Sequence, residues 1–155
     1  MKNYTTLLFF IVLLLSCSSS YCFAQNTKES EVVSQLCKEK VAQLNDYLSM
    51  MVSGKNSNEI RNHYKNKALS LFVGKGNRFE ENGVEKEGVS VEIFYTSRNR
   101  KTKKLVCNFF DQITVRPYTN VRIISAEVAK VYYEETGNGK EPCILLGNVT
   151  AEIRE

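Results

Sequence analysis

The sequence predicts an α+β domain: N-terminal helices packed on a curved antiparallel sheet, in the order α-α-β-β-α-β-β. Three observations predict it. Apolar residues recur every three or four positions from Val33 to Phe72. The period then drops to two, in strand-like runs at 89–95, 121–133 and 143–154. A short apolar helical stretch around Leu105–Ile113 interrupts those runs. Helices first and hairpins after them give one layer of helices on one face of a sheet.

The elements follow in order. Ser30 is a plausible helix cap, and Val33, Leu36, Cys37, Val41, Leu44, Tyr47, Leu48, Met51 and Val52 form one stripe of a helix over about 31–52. Gly54 is placed to supply a left-handed stop. A second helix begins at Asn56 or Ser57, with Glu59 spaced for a capping box from Asn56. Ile60, Tyr64, Ala68, Leu71 and Phe72 are its stripe, and Gly74 ends it. Asn82-Gly83 reads as a hairpin turn, since both residues tolerate positive φ. Val89, Val91, Ile93 and Tyr95 alternate with Ser90, Glu92 and Phe94 as a strand. A basic polar stretch, 97–104, leads into a third helix carrying Leu105, Phe109, Phe110 and Ile113 before Pro117. A long strand over 121–133 turns at Gly137-Asn138-Gly139. In the last strand Cys143, Leu145, Val149, Ala151 and Ile153 share a buried face, opposite Asn148, Thr150, Glu152 and Arg154. The predicted core is Leu36, Leu44, Leu48, Leu71, Val91, Ile93, Phe109 and Val149.

The first 24 residues read differently from the rest. Met1-Lys2-Asn3 is short and weakly positive, and Leu7 to Leu15 is an unbroken apolar run of nine residues. As helix it spans about 13 Å, against a bilayer core of roughly 30 Å, so it is too short for an anchor and fits an export signal. Cys22-Phe23-Ala24 before Gln25 has small residues at −3 and −1, which favours cleavage after Ala24. The alternative is Leu14-Leu15-Ser16-Cys17, a lipobox-like run that would make Cys17 a lipidated anchor. The expected organisation is a signal peptide over 1–24, a linker over 25–29 and a single domain over 30–155, periplasmic or secreted, or membrane-anchored through Cys17.

Composition bounds the function. With 43% apolar and 25% charged residues the balance is that of an ordinary globular domain. A formal charge of +4, one unit of it from Lys2, is too mild to imply nucleic acid. Outside the signal there are three cysteines, Cys37, Cys107 and Cys143, none in CxxC spacing. They read as three small buried residues, with one disulfide plus a free thiol as the other reading.

Few motifs carry chemistry. Gly74-Lys75-Gly76 lacks the spacing of a phosphate loop and follows a helix, so it reads as a cap and turn. Asn148-Val149-Thr150 matches a glycosylation acceptor but falls inside a strand. One histidine and scattered cysteines give no metal-ligand spacing, and no cofactor is expected. Arg98, Arg100, Lys101, Lys103 and Lys104 place five cations in seven positions at the expected start of a helix. Cations there oppose the helix dipole, an arrangement that a bound anion or acidic partner would relieve. The expected partners are an envelope protein, a glycan or an anionic lipid surface.

The stretches KALSLFVGKG (67–76), NGVEKEGVSVEIFYTS (82–97) and KTKKLVCNFFDQI (101–113), together with the element order, resemble the NTF2-like, cystatin-type cone folds. They also resemble small secreted proteins of Bacteroides-type bacteria. The resemblance implies a cone of helices on a curved sheet. NTF2-like isomerases and dehydratases use a pocket carboxylate or an Asp/His pair, which brings in Asp46, Glu59, His63, Tyr64 and Asp111 as candidate pocket residues. Glu59 and His63 are also i, i+4 neighbours on the polar half of a helix, where a surface pair needs no function. Two functions therefore compete: a non-catalytic envelope module that binds through the basic stretch, and a small-molecule isomerase or dehydratase.

Overall fold

The computed structural model describes residues 28–77, 79–81, 84–86, 88–96, 100–115, 118 and 120–154. The proposed signal, with Cys17 and Cys22, and the basic residue Arg98 lie outside the described residues. The chain divides into two compact units, Met1–Gln35 and Leu36–Glu155; what is described of the first, residues 28–35, is helical. No described helix is long and apolar enough to cross a membrane.

The first helix, α1, runs over 28–52. Its 3.6-residue stripe buries Leu44, Leu48 and Met51 completely. Leu36, expected in the core, is only half-buried. Next to it, Cys37 Sγ donates to Ala126 O of the sheet at 3.7 Å. Gly54 does not take positive φ. The end of α1 is closed instead by Asn56, whose Nδ2 donates to Met50 O at 2.9 Å and whose N–H donates to Ser53 O at 3.2 Å.

Helix α2 spans Asn58–Leu69. Its cap is Ser57, whose hydroxyl accepts from Ile60 N at 3.4 Å, so Asn56 is not the capping residue. The helix stops at Leu69, before Gly74. A turn over Val73–Gly76 follows, in which Gly74, Lys75 and Gly76 all have positive φ. Gly76 permits a close approach as well: a Cβ there would lie 2.8 Å from Val106 Cβ.

A small hairpin comes next, β1 (Phe79–Glu81) antiparallel to β2 (Val84–Lys86). It flanks positions 82 and 83, where the turn is expected, and those two residues lie outside the described set. The main sheet holds β3 (Ser90–Tyr95), β4 (Lys101–Leu105), β5 (Asn120–Thr136) and β6 (Gly139–Arg154), in the order β4-β3-β6-β5. Helix α3, Val106–Val115, follows β4 directly, its first N–H donating to Val89 O at 3.1 Å.

The domain is α+β, with helices on one face of an open, curved, four-stranded sheet. The sheet is mixed, not antiparallel as expected. β3 and β6 run parallel, in register Val91↔Val149 through Tyr95↔Ile153. The chain between them forms β4, α3 and β5, an even reversal that returns β6 to the direction of β3. The basic stretch expected as a loop forms the edge strand β4, paired Glu92↔Lys103 and Phe94↔Lys101.

The core lies between the helices and the sheet. Val91, Ile93, Val121, Ile123, Val149, Ala151 and Ile153 face Leu44, Leu48, Phe109, Phe110 and Ile113, all nearly fully buried. Phe72 and Phe110 meet edge-on with centroids 5.9 Å apart. In β6 the buried side chains are those of Ile144 and Leu146, then Val149, Ala151 and Ile153. Cys143 and Leu145 are therefore off the buried face. The ladder between β5 and β6 is irregular at Ala126/Val128 and Val128/Lys130, and an irregularity of that kind inverts which alternate residues point inward.

Candidate functional site

Helices cover one face of the sheet, and the other face is polar. From β3 it carries Ser90, Glu92 and Phe94; from β4, Lys101 and Lys103; from β6, Asn148, Thr150 and Glu152. A shallow cleft of about 290 Å3 lies across these strands, lined by Ser90, Glu92, Lys103, Ser125, Glu127, Asn148 and Thr150.

One hydrogen-bonded chain runs through the cleft. The Ser90 N–H and hydroxyl both donate to Asn148 Oδ1, at 3.0 and 3.1 Å. Asn148 Nδ2 donates in turn to Glu127 Oε2 at 3.1 Å. The chain fixes the orientation of the Asn148 amide and leaves small donors and acceptors facing the cleft. The acceptor-like Asn148 is thus engaged with protein groups inside β6.

A second cluster surrounds Glu152. Its carboxylate accepts from Thr96 Oγ1 at 3.1 Å and from Arg122 Nη2 at 3.1 Å, and Arg154 Nη2 lies 3.5 Å away. The Thr96 hydroxyl first, then the Arg154 and Arg122 guanidinium groups, hold this carboxyl below the ordinary glutamate value.

The strand β4 divides the basic residues. Lys101 and Lys103 project on the polar face. Lys101 Nζ lies 3.7 Å from Glu92 Oε1 and 4.7 Å from the centroid of Phe94. Lys103 lines the cleft. Lys104 shares the opposite face with Val91 and donates to Gln112 Oε1 of α3. Arg100 is exposed just ahead of β4. Lysines on an edge strand also block pairing with a foreign strand, which is a structural use for KTKK at this position.

Of the candidate pocket residues, Glu59, His63 and Tyr64 come together, while Asp46 and Asp111 lie elsewhere. His63 and Tyr64 line an open groove of about 440 Å3 with Met50, Asn56, Glu59 and Ile60. The two rings meet edge-on at 5.5 Å, and Tyr64 also contacts Tyr47 at 5.8 Å. Asp111 is on the surface, paired to Lys65 Nζ at 2.6 Å. Asp46 is exposed on α1. Cys37, Cys107 and Cys143 are unpaired and half-buried. Burial pushes the Cys37 and Cys143 thiols up, Cys143 further through nearby Glu134, so both resist becoming thiolates. Among the described residues no three His, Cys, Asp or Glu side chains cluster as a metal site.

Two positioning residues have no signal in the sequence pattern. Asn45 on α1 bonds both backbone groups of Ile123 on β5. Arg61 on α2 donates to Met51 O at 2.7 Å and to Thr114 O at 2.5 Å, closing the ends of α1 and α3. Both are polar residues on helices that read as solvent-facing.

Compared with family models, curated proteins and solved structures, the chain matches none of them.

Proposed function

We propose that this chain is an exported, non-catalytic binding module of the cell envelope, and that its ligand lies on the polar face of the sheet. The observation that carries the reading is the cleft that joins Lys103 to the Ser90–Asn148–Glu127 chain. Lys103 supplies a positive charge beside small hydroxyl and amide groups, and the two carboxylates of the cleft are engaged, Glu92 by Lys101 and Glu127 by Asn148. That set suits a polar, hydroxyl-rich ligand such as a glycan, and the cations at the β4 edge favour one that carries an acidic group. Arg100 and Lys101 extend the positive charge along the same edge.

The NTF2-like cone belongs to this proposal. Its support is the helix layer on one sheet face and the long hairpin of β5 and β6. Export is supported by the apolar run Leu7–Leu15 and the small residues before Gln25. The mass of the processed protein should place its first residue at Gln25, or at a lipidated Cys17. An unprocessed Met1 would overturn export.

The binding test replaces Arg100, Lys101, Lys103 and Lys104 together with Ser or Gln, and separately Asn148 with Ala. Acidic glycans should bind the native protein, less tightly as salt rises, and both variants should lose that binding while neutral glycans bind neither. Variants that bind acidic glycans as the native protein does would remove this face as the site. Anionic vesicles and envelope extracts serve as the comparison ligands. The isomerase or dehydratase reading through a pocket carboxylate or His63 needs a base secluded from water. The groove at His63 is open and His63 itself is exposed.

A further inference from the structure

Resting on the reading of the polar face as a glycan site, we propose that the cleft at Lys103 is one end of a longer site. It runs obliquely across that face to a second anion subsite at Arg122 and Arg154. Its ligand is an extended acidic glycan that carries charge on at least two of its sugars.

The register puts both ends on one face. Alternation along β6 aligns Asn148, Thr150, Glu152 and Arg154. Pairing with β5 sets Arg122 beside Glu152 and Asn120 beside Arg154, and these four side chains line a small cleft of about 80 Å3. The row Lys101–Phe94–Glu152–Arg122 crosses the sheet next to the row Lys103–Glu92–Thr150–Ser125. From Lys103 to Arg122 the path covers three strand spacings and one row, about 16 Å at the backbone. A short chain of sugars spans that distance, and a single ring does not.

The cations stand outside the carboxylates that hold them. The Glu152 side chain is 17% exposed, against 60% for Arg122 and 58% for Arg154. Glu92 is 31% exposed, against 60% for its partner Lys101. A ligand arriving from solvent therefore meets guanidinium and ammonium groups before it meets carboxylates. Two guanidinium groups share the single Glu152 carboxylate, which leaves that cluster one unit positive. The bond from Arg122 to Glu152 occupies one of its five N–H donors and fixes the planar fork, which suits a sugar carboxylate or sulfate. Between the two ends Lys101 is held 3.7 Å from Glu92 Oε1 and 4.7 Å from the centroid of Phe94.

The test uses linear oligogalacturonates, with a carboxylate on every ring, and chondroitin sulfate oligosaccharides, by titration calorimetry. For the native protein the hexasaccharide of either series should bind at least about tenfold tighter than the disaccharide, because a second charge-assisted contact is made on the same chain. That gain should shrink as salt rises. The variant Arg122→Gln with Arg154→Gln should lose the gain and bind the hexasaccharide about as the native protein binds the disaccharide. Asn148→Ala, at the other end, should weaken both lengths. Far-UV circular dichroism should match the native protein; a double variant that has lost the native spectrum is replaced by the two single ones, each of which should lower the gain. A native protein without length dependence, or arginine variants that keep it, would overturn the second subsite while leaving the cleft at Lys103 in place. A native protein that binds neither series at any length overturns both.

Discussion

Asn45 on α1 takes the place of a neighbouring strand for Ile123 on β5: its Oδ1 accepts from Ile123 N at 2.6 Å and its Nδ2 donates to Ile123 O at 3.3 Å. Ile123 is itself almost fully buried, so its backbone groups would lack ready access to water without that amide. Asn45→Ala should therefore cost about 1–3 kcal/mol, the penalty of leaving buried polar groups unmet. Asn45→Asp keeps the acceptor and loses the donor, and should fall between the two. Chemical denaturation of the three proteins measures the order. Equal midpoints for Asn45→Ala and the native protein would show that β5 does not depend on this contact.

Arg61 gathers the ends of two helices. Met51 and Thr114 lie in the last turns of α1 and α3, where carbonyls have no partner within their own helix. A guanidinium there satisfies two of them and sits at the negative ends of both helix dipoles. Arg61→Ala should lower stability by about 1.5–3 kcal/mol. Arg61→Lys should recover only part, since one ammonium does not reproduce two N–H groups held in a planar fork. Thermal unfolding followed by circular dichroism reads both.

The sequence pattern carried most of the apolar architecture and little of the pairing. The spacing of Leu44, Leu48 and Met51, and of Phe109, Phe110 and Ile113, is enough to place two helices and their buried sides, although Leu105, read with the second of them, ends β4. Lys101–Leu105 gave no strand signal because an edge strand needs no alternating apolar residues, and KTKK has none. The parallel contact of β3 with β6 joins residues far apart in the chain, which no local period reports. The inverted facing of Cys143 and Leu145 comes from ladder irregularities set by both strands together. Of the basic cluster, the sequence located the charge but not its division: Lys101 and Lys103 point one way and Lys104 the other.

The helix α1 offers an internal comparison. Leu44 has no exposed surface, whereas Leu36, on the same stripe, is half-buried. Leu44→Ala should cost about 2–5 kcal/mol, from lost transfer energy and the cavity left behind. Leu36→Ala should cost clearly less, because its site is already open to solvent and leaves a smaller void. Denaturant midpoints for the two variants test the difference. Equal losses would mean that Leu36 is covered as fully as Leu44.

Glu152 gives the fold a dependence on acid. The Thr96 hydroxyl, with Arg154 and Arg122, favours its charged form and holds its carboxyl below the ordinary glutamate value. A folded-state pKa below the unfolded one means that the unfolded chain binds the proton more readily. The stabilisation is then complete above the unfolded value, about 4.3 for glutamate, and is lost as pH falls through the lower folded value. Glu152→Gln keeps the size of the side chain and removes the charge. At neutral pH this variant should be less stable than the native protein. The gap should close as pH falls past the unfolded value and through the lower folded one, where the native carboxylate takes up its proton. Urea unfolding of both proteins across the acid range measures the gap. A difference that stays constant into strong acid would mean that Glu152 acts through packing and not through its charge.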